Sequence, residues 1–141
     1  MTKTCDLIIF TTDADQDKTS FKDRAIVIEA EARYYHKRDK HYLLFELDND
    51  RCRIEYDEKG LIYKRSGELT YEMQLYPGNS SSMRLKTAYG VMETEYSVSL
   101  YEAEIGEDRA EINIDYRSEG NNYSMRIETI NYKNNPDNKG E

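Results

Sequence analysis

The stretch MRLKTAYGVMETEYSV, residues 83–98, decides the fold class because apolar and polar residues alternate along it and one glycine interrupts them. Apolar or hydroxyl side chains occupy odd positions up to Tyr89 and even positions from Met92 onward. Alternation with a period of two is typical of a β-strand with one buried face. Gly90 stands at the change of phase, which predicts a sharp bend or a bulge that shifts the register so that both halves face the core.

The same alternation continues through the rest of the chain, and no comparable stretch keeps helical spacing with capping residues. Charged or hydroxyl residues fill most of the intervening positions, as a sheet with one wet face requires. The residues predicted to share inward faces are, run by run, Ile26, Ile28, Ala30, Ala32 and Tyr34; Leu43, Phe45 and Leu47; Cys52, Ile54 and Tyr56; Leu61, Tyr63 and Arg65; Leu69, Tyr71, Met73 and Leu75; Met83, Leu85, Thr87 and Tyr89; Met92, Thr94, Tyr96, Val98 and Leu100; Ala110, Ile112, Ile114 and Tyr116; and Tyr123, Met125 and Ile127.

Turn-forming residues separate these runs. Pro77-Gly78-Asn79, Gly106-Glu107-Asp108 and Glu119-Gly120-Asn121 are typical of connections between antiparallel strands. A long meander must hide its edges, so we predict an all-β fold in which the meander closes into a barrel of about eight to ten strands. Residues 1–132 are predicted to form this single domain, and residues 133–141 are predicted to be a polar, disordered tail.

Charge excludes some partners. The 141 residues include 28 acidic and 20 basic side chains, for a net charge of −8. Nucleic acids and anionic membrane surfaces would repel such a chain, so neither is expected as a partner. The apolar run Leu7–Phe10 is too short for a signal peptide, and Cys5 and Cys52 are too few and too far apart for a disulfide framework. Both cysteines are expected to be plain thiols, in a cytoplasmic protein.

Several short motifs resemble a known family. They are Lys64-Arg65-Ser66-Gly67, then Met73 before Pro77-Gly78, then Leu85-Lys86-Thr87-Ala88-Tyr89-Gly90 with Thr94 behind it, together with Tyr42-Leu43-Leu44-Phe45-Glu46 and the late-strand Tyr116. In order and spacing they resemble the DUF1934 family over roughly residues 25–132. The resemblance implies a calycin-like (lipocalin-like) β-barrel and a bacterial, cytosolic protein. It implies no activity, because the family has none assigned.

Metal-binding patterns are incomplete. Asp13, Asp15 and Asp17 begin like a calcium loop, but Lys18 and Arg24 replace the glycine and the glutamate that the pattern requires. The expected structure is therefore a solvated acidic turn, with no metal site.

The basic segment HKRDKH is flanked by His36 and His41, which have no neighbouring cysteine or fixed carboxylate to complete a metal site. A solvated turn is expected there, which is also a candidate contact for a negatively charged partner. No nucleophile elbow, glycine-rich phosphate loop or cofactor motif is present, so we expect neither enzymatic activity nor a cofactor.

Arg65 shares the inward phase of Leu61 and Tyr63, and a guanidinium inside a barrel needs acceptors or an aromatic face. In one alternative it plugs one barrel end structurally, which the family resemblance favours because calycin-like barrels often close around an arginine. In the other it clamps a carboxylate or phosphate ligand.

Two functional hypotheses follow. The leading one is a barrel that binds a small, partly apolar or acidic ligand in its interior, with Arg65, Thr87, Tyr89 and Tyr116 as candidate contacts. The alternative is a filled barrel that acts as a protein–protein interaction module or homodimer without a small ligand, since bulky side chains can occupy the whole interior of a barrel this size.

Overall fold

Ten β-strands make up the fold. The computed structural model describes residues 2–13, 26–78 and 80–134, and every regular element in these ranges is a strand. They are β1 (Lys3–Asp13), β2 (Ile26–Lys37), β3 (Lys40–Leu47), β4 (Asp50–Tyr56), β5 (Leu61–Ser66), β6 (Tyr71–Leu75), β7 (Ser80–Thr87), β8 (Gly90–Ile105), β9 (Ala110–Ser118) and β10 (Asn121–Asn134). Among the described residues no helix has the length and apolar character needed to cross a membrane.

The strands form one antiparallel sheet that curls into a nearly closed barrel. Consecutive strands pair from β1 to β6 and from β7 to β10, and β1 also pairs with β10, from Lys3 opposite Asn134 to Asp13 opposite Tyr123. The two ends of the sheet are therefore β6 and β7, which are consecutive in the chain. We call the junction between them the seam. The prediction of an all-β antiparallel barrel is confirmed.

One face of each paired strand fills the barrel interior. The largest side chains that are less than 2% exposed are Cys5, Leu7, Ile9, Leu43, Ile54, Tyr56, Leu61, Leu75, Ile112, Ile114, Ile127 and Thr129. Burying one such leucine or isoleucine contributes about 1.5–3 kcal/mol. Strand β1, which supplies three of these residues, was not among the predicted strands, because its short apolar run gives a weak periodic signal.

Gly90 ends a hairpin turn, and the predicted bend or bulge at this residue is wrong. Thr87 lies opposite Gly90, so Ala88 and Tyr89 form a two-residue connection between β7 and β8. The φ angle of Gly90 is 132°, a conformation that favours glycine. Because Leu85 lies opposite Met92, odd positions of β7 share a face with even positions of β8, and the phase changes without any bulge.

The bulge occurs instead at Ser99. Val98 lies opposite Tyr116 and Leu100 lies opposite Asp115, so Ser99 is an extra residue in β8. Its hydroxyl donates to the Asp115 carbonyl over 3.3 Å. The bulge reverses the faces of the strand after this point. Tyr101 packs against the core where Leu100 was predicted to do so.

The free end of the β7–β8 hairpin carries apolar residues into solvent. Met92 was predicted to face the core, but it is 66% exposed because β9 pairs with β8 only from Tyr96 onward.

The last strand is longer than predicted. Strand β10 continues to Asn134, two residues beyond the predicted start of the polar tail after residue 132. Residues 135–141 lie outside the described ranges.

Candidate functional site: a basic groove at the barrel seam

A few specific contacts hold the seam. Thr70 and Lys86 form an isolated backbone pair, with N–O distances of 3.0 and 2.9 Å. Farther along, the Tyr96 hydroxyl accepts from the Gln74 amide over 2.6 Å and donates to the Gln74 carbonyl over 3.1 Å. A side chain of β8 thus replaces the backbone of β7 as the partner of β6. Past the Thr70–Lys86 pair, the described parts of β6 and β7 form no ladder with each other.

A groove of about 570 Å³ opens over the seam. The residues that line this seam groove are Lys64, Arg65, Ser66, Thr70, Tyr71, Glu72, Ser82, Arg84 and Lys86. Four of these side chains are cationic and one is a carboxylate, whereas acidic residues outnumber basic ones by 28 to 20 in the whole chain. The seam groove is therefore a positively charged region on a protein whose net charge is negative.

The ion pairs within the seam groove leave part of this charge free. Lys64 Nζ lies 3.3 Å from Glu72 Oε1. The pKa of the Glu72 carboxyl is lowered by a hydrogen bond from the Gln74 side chain and then by Lys64. Arg84 Nε lies 3.6 Å from Glu93 Oε1, and both side chains are largely exposed. Such exposed pairs contribute little free energy and are easily exchanged. Lys86 is exposed and has no ion pair among the described residues, and the Arg84 side chain is 74% exposed against 52% for Lys64. Arg84 and Lys86 are therefore the most accessible cations of the groove.

Beside the seam groove, a buried carboxylate joins two hairpins. Asp50, the first residue of β4, is 2% exposed. Its Oδ2 accepts from Arg65 Nε over 2.9 Å and from the Leu69 amide over 3.1 Å, while Oδ1 accepts from the Glu68 amide over 2.8 Å. The two backbone donors, and then Arg65, hold the pKa of Asp50 below its usual value. We call this arrangement the Asp50 anchor.

Arg65 belongs to the Asp50 anchor and reaches the seam groove at its edge. It lies opposite Cys52 in β4 and Tyr71 in β6, so its side chain starts from the inward face. The side chain is 13% exposed, and Nη2 lies 3.5 Å from the Leu47 carbonyl oxygen. The Asp50 carboxylate and the Leu47 carbonyl of the protein itself therefore accept from the Nε and Nη2 groups that a ligand would need.

The other candidate contacts lie elsewhere. Thr87 holds the hairpin turn: its Oγ1 accepts from the Tyr89 amide over 3.0 Å and donates to the Gly90 carbonyl over 3.2 Å. Tyr89 is fully exposed, so the prediction that it faces the interior is wrong; it lies in the two-residue connection, beyond the core. Tyr116 stacks on Tyr123 at 5.3 Å, and burial, followed by the nearby Tyr123, raises its pKa to about 12. The four residues do not surround one void.

Sequence reasoning missed Asp50, Arg84 and Lys86. The residues before Asp50 offered a local signal for a turn, because Asp48-Asn49 is typical of a tight connection, and the two residues adopt φ angles of 50° and 72° there. The two cations carried no such signal. Their groove exists only because β7 meets β6 across the seam.

The histidines meet at one end of the barrel. His36 lies directly opposite His41, and their rings stack at 4.2 Å. The Tyr34 hydroxyl lies 2.7 Å from His41 Nδ1, and Tyr56 stacks on the other side at 5.0 Å. In the part of the chain that the structure describes, no three His, Cys, Asp or Glu side chains are grouped to hold a metal ion. Of the three aspartates that begin like a calcium loop, Asp15 and Asp17 lie outside the described residues.

Replacing His41 with phenylalanine should reduce the loss of stability between pH 7.5 and 5.5. Burial, and then His36, lowers the pKa of His41. The unfolded chain therefore takes up a proton near pH 6.5 that the folded chain binds only at lower pH, so the free energy of unfolding falls as pH drops below about 6.5. Melting temperatures at the two pH values measure this. A His36→Gln control should reduce the loss less, and an unchanged loss in His41→Phe would contradict the assignment.

Comparisons with known proteins give a family and a fold. A family model described as a domain of unknown function (DUF1934) matches residues 8–131. The crystal structure of the ywiB protein from Bacillus subtilis is similar, with a TM-score of 0.72 and 21% sequence identity over 92% of this chain and 90% of that chain. At this identity the likeness concerns the fold alone. No curated protein matches the chain.

Proposed function

We propose that this chain, which belongs to the DUF1934 family, is a non-catalytic binding protein whose seam groove takes an anionic ligand. The observation that carries this proposal is the reversal of charge: four cations and one carboxylate line a groove in a chain of net charge −8. A basic groove in an acidic protein attracts anions while the rest of the surface repels them, which favours a small or narrow ligand over an extended polyanion.

The packing of the core favours the seam groove over the barrel interior as the ligand site. Large side chains such as Tyr56, Leu43 and Ile114 lie in the interior with at most 1% exposure. An interior ligand would have to displace them, and closely packed interiors resist such changes in volume. A ligand in the seam groove would not have to displace these core side chains.

Within the seam groove, Arg84 and Lys86 are the proposed ligand contacts. Guanidinium groups bind carboxylates and phosphates through two parallel hydrogen bonds, and an ammonium group adds a point charge. The hydroxyls of Ser66, Thr70 and Ser82 add neutral donors along the same lining. Arg65 is assigned a structural role, because Asp50 already binds it.

Reversing both accessible charges should abolish anion binding without unfolding the barrel. In Arg84→Glu/Lys86→Glu, we expect the affinity for inorganic pyrophosphate to fall at least tenfold, because two attractive charges become repulsive. The melting temperature should change by about 2 °C or less, since both residues are exposed. Titration calorimetry in about 0.1 M salt measures the affinity.

The matched control is Arg33→Glu/Lys37→Glu, which makes the same change of charge at two exposed positions of β2. It should leave pyrophosphate binding within about twofold of the wild type, because long-range electrostatic effects are screened beyond about 10 Å. Equal losses in the two double variants would refute a site in the seam groove.

A protein-interaction module is the second candidate function. The exposed end of the β7–β8 hairpin favours it, because Tyr89, Val91 and Met92 present apolar surface at 101%, 46% and 66% exposure. Native mass spectrometry of protein purified from a bacterial host would separate the candidates. A retained small anion favours the first, whereas an empty dimer or a complex favours the second. As part of the proposal we place the protein in the cytoplasm, because Cys5 and Cys52 are buried free thiols.

A further inference from the structure

The unpaired edge of β7 points to the class of ligand. We propose that the seam groove takes an extended acidic peptide segment, which adds to the edge of β7 as a further strand. The inference rests on the proposed function, because it assumes that the ligand of the seam groove is anionic. It adds a requirement that no simple anion meets, namely backbone hydrogen bonds to β7.

The Thr70–Lys86 pair establishes which backbone groups face the seam. Lys86 directs both its amide and its carbonyl toward Thr70, at 2.9 and 3.0 Å. Residues two apart in a strand direct these groups to the same side, so Arg84 and Ser82 present theirs to the seam as well. Continued antiparallel pairing would place Glu72 opposite Arg84 and Gln74 opposite Ser82.

That continuation does not occur, because Gln74 has another partner. Its amide and carbonyl both bond to the Tyr96 hydroxyl. Strand β6 is thereby satisfied at this point by a side chain of β8. The amides and carbonyls of Ser82 and Arg84 remain as an open edge on β7, directly along the lining of the seam groove. An extended peptide satisfies such an edge by β-augmentation.

The side chains around this edge define the sequence of the peptide. Arg84 and Lys86 lie on one face of β7, and Lys64 lies across the seam groove. Because Thr70 already lies opposite Lys86, an acidic residue opposite Arg84 would meet this arginine directly, with Lys86 and Lys64 in the same groove lining. The residues on either side of this acidic residue would face the interior side of the seam, where Tyr71 and Met83 are partly buried against the core. Alternating acidic and apolar residues therefore fit the site.

The opposing explanation is that the cations protect the edge. Lysine and arginine on an edge strand are a common device against unwanted pairing. A protected edge and a binding edge differ in one measurable property: only the binding edge gains affinity from the backbone amides of an added strand.

The test uses the full chain and three probes. They are the blocked peptide Glu-Val-Glu-Val-Glu, the same peptide with N-methyl groups on the amides that would face β7, and inorganic pyrophosphate. We expect the N-methylated peptide to bind at least tenfold more weakly than the parent. We also expect the parent to slow hydrogen exchange of the Ser82 and Arg84 amides. The Arg84→Glu/Lys86→Glu variant should lose affinity for both the parent peptide and pyrophosphate.

A second variant removes one donor from the protein. Ser82→Pro deletes an amide that faces the seam, at an edge position where proline is tolerated. It should weaken the parent peptide at least tenfold more than the matched Ser82→Ala does. The two variants should bind pyrophosphate equally, because both lack the Ser82 hydroxyl and only Ser82→Pro also lacks the amide. If the N-methylated peptide binds as tightly as the parent, the proposed anion site stands and the peptide inference is overturned. If neither peptide nor pyrophosphate binds, both are overturned and the cations protect the edge.

Discussion

Replacing Asp50 with alanine is expected to lower the melting temperature by about 10 °C or more, as seen by calorimetry or circular dichroism. The carboxylate accepts three hydrogen bonds at 2.8–3.1 Å, from Arg65 and from the amides of Glu68 and Leu69. Removing it leaves a guanidinium that is 13% exposed without its partner and two backbone donors unsatisfied. Leaving buried polar groups of this kind unsatisfied is one of the few mechanisms by which a single substitution causes a large loss of stability.

Asp48→Asn is the control for Asp50→Ala, because asparagine removes the negative charge and tolerates the φ angle of 50° at position 48. The Asp48 carboxylate lies 4.0 Å from Arg65 Nη2 but is 96% exposed, so the expected change is about 2 °C or less. Arg65→Ala should lower the melting temperature, but less than Asp50→Ala does, because Asp50 would retain its two amide donors. Equal effects at positions 48 and 50 would contradict the Asp50 anchor.

Stability should also depend on pH through Asp50. Since the pKa of Asp50 is lowered in the folded state, its stabilisation is present above about pH 4 and is lost as the pH falls through the lower pKa of the folded state.

Gly67→Ala is expected to lower the melting temperature by about 5–10 °C, and Asp50 is the reason. A Cβ atom at Gly67 would lie 2.0 Å from Asp50 Oδ1 and 2.5 Å from its Cγ. Its φ angle of 154° also disfavours other residues. The alanine would therefore displace the carboxylate from the donors at Glu68 and Leu69. Thermal unfolding of the variant measures the cost.

A double-mutant cycle separates the clash from the backbone effect. In the Asp50→Ala background the two nearest atoms, Oδ1 and Cγ, are absent and only the Cβ contact at 3.0 Å remains, so Gly67→Ala should cost much less there than in the wild type. Gly106→Ala is the control glycine, because its added Cβ would meet only the Arg109 carbonyl oxygen, at 3.4 Å. If Gly67→Ala costs the same in both backgrounds, the loss comes from the φ angle and the proposed conflict with Asp50 is wrong.

The Asp50 anchor gives a physical explanation for one of the family-like motifs. In Lys64-Arg65-Ser66-Gly67, Arg65 binds the Asp50 carboxylate and Gly67 leaves room for it. From the sequence, Arg65 was recognised as an inward arginine in need of acceptors. Its acceptor was not found, because Asp50 lies 15 residues earlier and only the pairing of β4 with β5 brings the two together.

Periodicity predicted most of the inward faces and failed at strand ends and at the Ser99 bulge within β8. The runs in β3, β4, β9 and β10 were assigned to the correct face, since a period of two identifies buried positions whatever the partner strand. The run through Gly90 was misinterpreted, because a hairpin and a bulge both change the phase by one residue. Tyr89 and Met92 were therefore placed inside the barrel, although both are exposed.

The sequence by itself determined the fold class, the strand faces, the excess of acidic charge and the need of Arg65 for a partner. These are local or summed properties, which alternation, turn residues and charge express directly. Only the tertiary structure decided that β1 closes on β10, that the seam falls between β6 and β7, and that Arg84 and Lys86 line a groove there. The physical reason is that closure joins residues distant in the chain. Which edges remain unpaired depends on how the whole sheet curls, and no local pattern encodes that.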